Sequence, residues 1–476
     1  MKLKQLIQGI DFQAIRGSKE KEILGLSADS RRLAPGFLFI ARRGTQIDGT
    51  QFIHQAVQTG AVAIVTALYD PFLSSATQLI HPHPEEVEAA LAVRFYRNPS
   101  HELFMVGVTG TKGKTTSTYL IRHLLQRLRG SCGLSGTIET IVGERRYPSP
   151  LTTLDAVSHQ KILREMVSDG QKAAVLEVSS HGLQQGRTDG IEWDAALWTN
   201  LAPDHLDYHG TVEVYAAAKR RLFLQLDQSS KKGHAIFING DDPWCLRMAE
   251  GMKSPVCKFG LEQISGLRSL EGRTEFLMGT TLFSIPMIGR FNVYNFLGAI
   301  AIGQHFGYSL ETIRDALADA PPVPGRLEAV PNGKGIAVFV DYAHTKEALE
   351  QTLRAIREMG VRRIGVVFGC GGDRDPQRRT GMAAAAEAHA DFSVITSDNP
   401  RRENPEQIAR QVLAGFQRPE HVRMELDRRE AIRQGIFMAE PGDALLIAGK
   451  GHEKVQIFAQ QTVPFDDVEV ARECLC

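Results

Sequence analysis

From about Phe104 onward, short apolar runs alternate with segments in which apolar residues recur every three or four positions, the pattern of parallel strands covered by helices. It is clearest toward the C-terminus. There VFVDYAH, IGVVFGCGG, FSVITSD, VRMELD and DALLIAGKG read as five strands, and KEALEQTLRAIREMG, MAAAAEAHA, PEQIARQVLAGF and one further segment read as four helical crossovers. The class is α/β. In the first hundred residues, runs such as FLFIA and AVAIV predict shorter strands in a less regular order. Two breaks divide the chain. Asn98-Pro99-Ser100 interrupts a helical pattern just before the apolar run Leu103–Val108, and Pro321, Pro322 and Pro324 can neither extend a helix nor donate to a sheet ladder. They predict three α/β domains, over residues 1–101, 102–324 and 325–476.

Composition agrees with that division, since 476 residues accommodate three domains of about 150 residues each. With 43% hydrophobic and 23% charged residues the chain is an ordinary folded one. Lys plus Arg number 55 and so do Asp plus Glu, so no global basic field draws nucleic acid or an anionic membrane, and any anion must be held by a local site. The six cysteines form no CxxC pair, which favours reduced thiols over a structural zinc site. The opening MKLKQLIQGIDFQAI lacks the apolar core of a signal peptide, and no stretch approaches the ~18 apolar residues needed to span a bilayer. The expectation is a cytoplasmic protein without membrane insertion.

The sharpest local signal is FMVGVTGTKGKTTSTYLIRHLLQRL, an apolar strand that enters a Gly-rich turn and then a helix with Leu120, Leu124 and Leu128 on one face. Gly110 and Gly113 let backbone N–H groups approach phosphate oxygens, Lys114 supplies a point charge, and Thr115 at the positive helix N-terminus suits Mg²⁺. The strict GxxxxGK[ST] spacing fails by one residue, because its first Gly falls on Val108. Strand, glycines, lysine, threonines and helix nevertheless coincide, and nucleoside triphosphate binding at Gly110, Thr111, Lys112, Gly113, Lys114, Thr115 and Thr116 is the better reading than an ordinary βα turn. No NKxD-like guanine reader is present, and GCGGDR has Arg374 where a dinucleotide fingerprint wants its last Gly, so neither a GTPase nor a dehydrogenase is favoured.

After the loop come LEVSSHGLQQGR, TNLAPDHLDYHG, VYAAAKRRLF, GRFNVYN, PGRLE, DYAHT, FGCGGDRD, SDNPR and GKGHE. In this order they resemble the Mur ligase family of ATP-dependent amide-forming enzymes, over nearly the whole chain. The resemblance implies a UDP-sugar-binding N-terminal domain, a central P-loop ATPase-like domain and a C-terminal Rossmann-like domain that binds an amino acid. It implies chemistry in two steps, in which a D-glutamate carboxylate of UDP-N-acetylmuramoyl-L-alanyl-D-glutamate takes the γ-phosphoryl of ATP and the acyl phosphate is then attacked by an amine. Cell-wall precursor synthesis by a monomer, with no nucleic acid partner, is the implied setting.

Residue by residue, the resemblance makes Lys114 a catalytic cation and Thr115, Glu177, His205 and Lys219 a Mg²⁺ site, with Lys219 carbamylated so that an ammonium becomes a carboxylate. Without it, Lys219 reads as a solvated charge on an amphipathic helix, while for His205 a hydrogen-bonded turn histidine is the lesser alternative to a metal-orienting one. Asn292, Arg326 and Asp341 fall on positions that hold the adenine, a phosphate and the ribose side of ATP, and Arg326 follows the Pro-rich segment, so that domain closure would deliver it to the nucleotide. The sugar nucleotide maps onto Ser30, Thr45, Gln46, Ile47, Thr152, Thr153, Ser179, Gln185 and Arg187. The incoming amino acid maps onto Arg374, Asp398, Asn399, Pro400, Arg401, Gly449 and Glu453. Arg401 can fork onto the second carboxylate of meso-diaminopimelate, and Glu453 suits its distal ammonium. Lysine-adding relatives lack that Arg.

Three positions depart from the family pattern: Lys112 replaces the Asn of GTNGKT, Leu154 the Pro of TTPD, and Lys346 the Pro of DYAHTP. None removes a group assigned to chemistry, although Lys112 adds a cation to the phosphate loop. The alternatives are a lysine-adding ligase, disfavoured by Arg401, and a nucleotide-binding regulatory protein without turnover, disfavoured by Glu177, His205, Lys219 and Asp341 standing together.

Overall fold

The computed structural model describes residues 1–43, 48–270 and 272–476. The chain forms two compact units, Met1–Gly260 with Gly298–Gly307, and Leu261–Leu297 with Tyr308–Cys476.

The first unit contains two sheets. In the smaller, strands Gly25–Ser27, Phe37–Ile40, Ala63–Thr66 and Thr77–Ile80 run parallel in that order, and Ala14–Arg16 adds antiparallel to the last. Leu38, Ile40, Val65 and Leu79 bury one face of it in a cluster with Val87 and Leu91 of the helix Pro84–Phe95. The larger sheet has the spatial order Val256–Phe259, Ala235–Asn239, Ala195–Trp198, Phe104–Thr109, Ala173–Glu177, Cys132–Ser135, Glu139–Val142, Arg145–Pro148. Its first six strands are parallel, and the last two are added through antiparallel pairings. Phe104–Thr109 is buried along its whole length, as a strand covered on both faces must be, which explains its unbroken apolar run. Its neighbour Ala173–Glu177 pairs in the register Glu177 to Val108, so a carboxylate and the phosphate-loop glycines leave the sheet side by side at its C-terminal edge, where open α/β sheets bind ligands.

In the second unit an antiparallel sheet of Ile264–Leu270, Arg273–Met278 and Thr281–Ile285 accompanies a six-stranded one. The order there is Glu328–Val330, Ala337–Asp341, Ala444–Ala448, Ile364–Phe368, Phe392–Ile395, Val422–Met424, all parallel except the first. Helices Lys346–Arg357, Gln377–His389, Pro405–Leu413 and Arg428–Met438 make the connections, so the five strands and four crossovers expected from the hydrophobic pattern are present. Glu328–Val330 and the hairpin Val455–Ile457 with Thr462–Pro464 were not expected, because strands of three residues are too short for an alternation to register. Among the described residues no helix is long and apolar enough to cross a membrane.

Candidate functional site

The strand Phe104–Thr109 ends in a loop whose path depends on Gly110. Its φ is +143°, and a Cβ there would stand 2.0 Å from Thr199 Oγ1, so no other residue fits. The loop is held from the strand Ala195–Trp198 side. Asn200 Oδ1 accepts the Lys112 N–H at 3.0 Å, Asn200 Nδ2 and Thr199 Oγ1 donate to the Lys112 carbonyl at 3.0 and 2.6 Å, and Thr111 Oγ1 donates to the Ala202 carbonyl at 3.1 Å. Gly113, with φ +84°, turns the chain into the helix Lys114–Arg129, in whose first turn Thr115 and Thr116 are buried. Lys114 Nζ donates to the carbonyls of Gly110 and Thr111 at 3.0 and 2.9 Å, which folds the ammonium back over the loop. The additional cation, Lys112, faces Asp204, with Nζ to Oδ2 at 3.8 Å.

Glu177 is fully buried at the next strand end. Its carboxylate accepts from Thr115 Oγ1 at 3.2 Å, from the Thr137 N–H at 3.0 Å and from Thr137 Oγ1 at 2.8 Å. Lys219, on the helix Val212–Asp227, is only 1% exposed and donates to the Gly110 carbonyl at 2.7 Å, with its nitrogen 4.4 Å from the Tyr215 ring centroid. Burial, reinforced by the nearby Lys114 cation, holds its amine well below the usual lysine range. Lys219 is therefore no solvated helix charge. His205 stands in left-handed backbone at the start of the turn Leu206–His209, and its ring meets His181 edge-on at 5.0 Å. Among the described residues no three His, Cys, Asp or Glu side chains converge as a metal cluster. The hydroxyl of Thr115 with the carboxylate of Glu177 is instead the sparse oxygen set that suits Mg²⁺, which keeps several water or phosphate ligands of its own.

Behind Glu177 the residues assigned to the sugar nucleotide form one network. Thr137 Oγ1, whose proton goes to Glu177, accepts from Thr152 Oγ1 at 3.1 Å, Thr153 Oγ1 donates to the Glu177 carbonyl at 3.0 Å and lies 2.9 Å from Ser179 Oγ, and Ser179 caps the helix Ser180–Gln184. Arg187 donates to the Thr153 carbonyl at 2.8 Å and to Gln185 Oε1, and Gln185 reaches the Tyr208 hydroxyl at 3.2 Å. Ser30, in the smaller sheet's part of the unit, opens a short turn capped by Asp29. Thr45, Gln46 and Ile47 lie outside the described residues.

In the second unit Asn292 is buried within the helix Arg290–His305, with Nδ2 donating to the Ile288 carbonyl at 2.9 Å and Oδ1 accepting from Asn295 at 3.0 Å. Arg326 stacks over the Tyr342 ring at 4.6 Å. Asp341 ends its strand and accepts the N–H of Leu327, which is itself in left-handed backbone, at 2.6 Å. Burial raises the Asp341 carboxyl pKa, against the opposing charge of Arg326.

The residues assigned to the amino acid converge on the C-terminal edge of the same sheet. A Cβ on Gly371 would stand 2.9 Å from Arg401 Nη1 and 3.9 Å from Arg374 Cγ, so both arginines border this glycine loop. Arg401, with φ +52°, donates Nη1–H to the Gly372 carbonyl at 2.7 Å and its N–H to the Ile457 carbonyl at 2.9 Å. Pro400 packs its carbonyl where a Cβ on Gly372 would be, and Gly449 leaves room for the Asp398 carboxylate. Asn399 donates to Glu453 Oε2 at 2.7 Å and accepts from Lys450 Nζ at 3.0 Å.

Sequence reasoning missed several residues here. Thr137, Asn200 and Tyr215 hold Glu177 or the phosphate loop, and the fully buried Lys450 ties Asn399 to Glu453 through 3.0 and 3.2 Å contacts. Lys450 lay inside GKGHE, Asn200 inside TNLAPDHLDYHG and Tyr215 inside VYAAAKRRLF, so these three were legible as motif members; Thr137 carries no local signal. The buried Arg428, paired with Asp467 at 2.7 Å, donates to the carbonyls of Ser397 and Ala448 behind the same pocket.

Profiles of the Mur ligase family, catalytic domain, the Mur ligase middle domain and the Mur ligase, glutamate ligase domain match residues 22–103, 108–303 and 325–451. The UDP-N-acetylmuramoyl-L-alanyl-D-glutamate–2,6-diaminopimelate ligase of Geobacillus thermodenitrificans is 41% identical over 484 residues, spanning 99% of each chain. That of Chlamydia pneumoniae is 41% identical over 488 residues, covering 100% of this chain and 99% of its own. A solved structure of such a ligase superposes with TM-score 0.70 at 32% identity over 100% of this chain and 98% of that one. The MurF ligase of Thermotoga maritima in complex with ADP, 20% identical and covering 95% of this chain and 96% of its own, shares the fold with TM-score 0.64.

Proposed function

The chain belongs to the Mur ligase family, and we propose that it joins 2,6-diaminopimelate to UDP-N-acetylmuramoyl-L-alanyl-D-glutamate with consumption of ATP. The domains 1–101, 102–324 and 325–476 receive the sugar nucleotide, ATP and the amino acid. The observation that carries the choice of amino acid is the pair Arg374 and Arg401 around Gly371, with Glu453 on the same loop system. A diamino diacid offers a distal carboxylate for the arginine fork and a distal ammonium for Glu453, whereas lysine offers only the ammonium.

In the first step the D-glutamate side-chain carboxylate attacks the γ-phosphorus of ATP, the bond to the β–γ bridging oxygen breaks, and ADP leaves. Loop N–H groups and Lys114 neutralise and align the phosphates, so the contribution is mainly positioning and charge stabilisation. Thr115, Glu177, His205 and Lys219 would hold Mg²⁺, which when bound supplies charge neutralisation at the transferring phosphoryl group. Lys219 fits that set as a carbamate, because burial lowers the pKa of its amine and so favours the unprotonated form that is nucleophilic toward carbon dioxide. In the second step an amino group of diaminopimelate attacks the acyl carbon, phosphate leaves and the amide forms. Asn292, Arg326 and Asp341 take the adenine, a phosphate and the ribose. The protein acts as a cytoplasmic monomer in cell-wall precursor synthesis.

The test is phosphate release from ATP by the purified protein with Mg²⁺ and UDP-N-acetylmuramoyl-L-alanyl-D-glutamate, comparing meso-diaminopimelate, L-lysine and no amino acid. Release with diaminopimelate alone, together with the tripeptide product, is expected. Equal release with lysine overturns the role of Arg401, and nucleotide binding without release under any condition favours a regulatory protein.

A further inference from the structure

The two arginines assigned to the incoming amino acid leave the C-terminal edge of one sheet from different loops. Arg374 follows the strand Ile364–Phe368 and Arg401 follows its parallel neighbour Phe392–Ile395, so the spacing of the two guanidinium groups depends on how the loops are joined. Hydrogen bonds join them directly. The Gly372 N–H donates to the Asn399 carbonyl at 3.0 Å, Arg401 Nη1–H to the Gly372 carbonyl at 2.7 Å, and Arg402 Nε–H to Asp373 Oδ2 at 3.0 Å. A Cβ on Gly372 would stand 2.0 Å from the Pro400 carbonyl oxygen, so the two backbones touch there.

Glu403, two residues beyond Arg401, adds a side-chain link of its own. Its Oε1 accepts the Asp373 N–H at 2.6 Å, and its two carboxylate oxygens accept from Arg379 Nη2 at 2.9 and 2.8 Å. Arg379 is buried on the helix Gln377–His389, and its Nη1 donates to Gln411 on the helix Pro405–Leu413. The Arg379 guanidinium holds the Glu403 carboxyl below the ordinary carboxylate range, so the link is an anionic acceptor at neutral pH. The second observation is in the backbone. Asp373 and Arg401, at φ +53° and +52°, are both non-glycine residues in left-handed conformation. That conformation crowds the Cβ and persists only where the surroundings over-determine it. Arg401 is fixed by its bonds to Ile457 and Gly372, and Asp373 by Glu403 at its N–H and by Arg402 at its carboxylate. An ion pair that served only to pack two helices would need neither a bond to the Asp373 N–H nor a strained residue directly before Arg374.

We propose that Glu403 is a positioning residue for amino-acid selection: by holding the Asp373 N–H it turns Arg374 toward Arg401, so that both guanidinium groups meet the distal carboxylate of the incoming diamino diacid. The inference deepens the proposed function and rests on its reading of the amino acid. Arg374 Cγ and Arg401 Nη1 already flank one glycine, at 3.9 and 2.9 Å from the place a Cβ on Gly371 would take. A guanidinium fork is directional, and a misplacement of about 1 Å is enough to lose much of its effect. Without the Glu403 bond, Asp373 relaxes out of its left-handed backbone and Arg374 swings away from Arg401. The residues assigned to ATP and to the sugar nucleotide keep their places, because none of them is bonded to this latch.

The experiment measures phosphate release by the full-length protein at saturating ATP, Mg²⁺ and UDP-N-acetylmuramoyl-L-alanyl-D-glutamate while meso-diaminopimelate or L-lysine is varied. Wild type, Glu403→Ala and Glu403→Gln are compared, each with and without Arg374→Ala. Glu403→Ala should raise KM for diaminopimelate about tenfold with kcat within about twofold. The kcat/KM for L-lysine, which carries no distal carboxylate, should change less than about twofold, so that selectivity falls about tenfold. Glu403→Gln, which keeps an oxygen for the Asp373 N–H, should raise KM only about threefold, and it carries the test if Glu403→Ala does not fold. In the Arg374→Ala background Glu403→Ala should add little, because the residue it aims is gone. An unchanged KM for diaminopimelate in each variant that folds, an equal loss with lysine, or an effect that simply adds to that of Arg374→Ala overturns the inference while leaving the substrate reading intact. Absence of diaminopimelate-dependent release, or equal use of lysine, by the wild-type protein overturns the amino-acid reading and this inference with it.

Discussion

The side-chain nitrogen of Lys219 lies 2.7 Å from the carbonyl oxygen of Gly110, joining the middle of one helix to the first residue of the phosphate loop across 109 positions of chain. Lys219 can reach that carbonyl only because Gly110 adopts a backbone that other residues cannot, with φ +143° and Thr199 Oγ1 filling the place of a Cβ. A lysine buried there is held toward its neutral form by desolvation.

That geometry predicts that Lys219→Ala lowers the rate of phosphate release by about a thousandfold, the upper end of the loss when one preorganised charge-stabilising group is removed from an active site. ADP affinity should change little. If the amine is carbamylated, small carboxylates such as acetate added to Lys219→Ala should restore part of the rate, and the intact wild-type protein should carry the mass of one carbon dioxide on this residue. Lack of rescue together with an unmodified lysine would leave Lys219 as a purely structural tether of Gly110.

Arg401 is aimed by its bond to the Gly372 carbonyl and by the bond of its own N–H to Ile457. Arg401→Lys keeps the charge and loses the fork, and should raise KM for diaminopimelate between about tenfold and a hundredfold, since a charge-assisted bond contributes roughly 1.5–3 kcal/mol. The KM values for ATP and for the sugar nucleotide should stay within about twofold. A uniform fall in kcat with unchanged KM would contradict the assigned role.

Glu88 makes stability depend on pH in an unusual direction. Its carboxyl ionises near 4.5 in the unfolded chain and is pushed to about 7 by burial in the folded one. Below pH 4.5 it is protonated in both states and costs nothing; between 4.5 and 7 the folded state holds the extra proton, and stability falls as pH rises through that window. Glu88→Gln should remove this loss, so the variant gains up to about 3 kcal/mol over wild type on going from pH 5 to pH 8 in chemical denaturation. A pH-independent difference between the two would contradict it.

The fully buried pair Arg428 and Asp467, with two contacts of 2.7 Å, sits behind the SDNPR loop. Asp467→Asn should destabilise the protein by about 3–5 kcal/mol, because it leaves a buried guanidinium without its charge partner. Arg428→Met/Asp467→Leu should recover most of that stability. The double variant should still bind diaminopimelate more weakly, since the Ser397 and Ala448 carbonyls lose the donor that fixes the loop.

The strands and crossovers of the second unit were legible because each strand is buried on both faces and each helix carries one apolar stripe, so burial writes itself into local periodicity. The phosphate loop was legible for a related reason: glycines, a lysine and threonines at a strand-to-helix turn are demanded by local backbone geometry. Short edge strands such as Glu328–Val330 left no such trace. Neither did the meeting of Lys219 with Gly110, the donor Thr137, or the pairing of Arg42 with Glu88. These contacts join residues 40 to 109 positions apart, and their energies come from burial and charge that exist only once the sheets and helices have packed. Sequence alone determined which elements form and which motif residues stand at their ends; the tertiary structure decided which charges are buried together, and with them which lysine has its pKa lowered by burial and which carboxylate oxygen is left short of a partner.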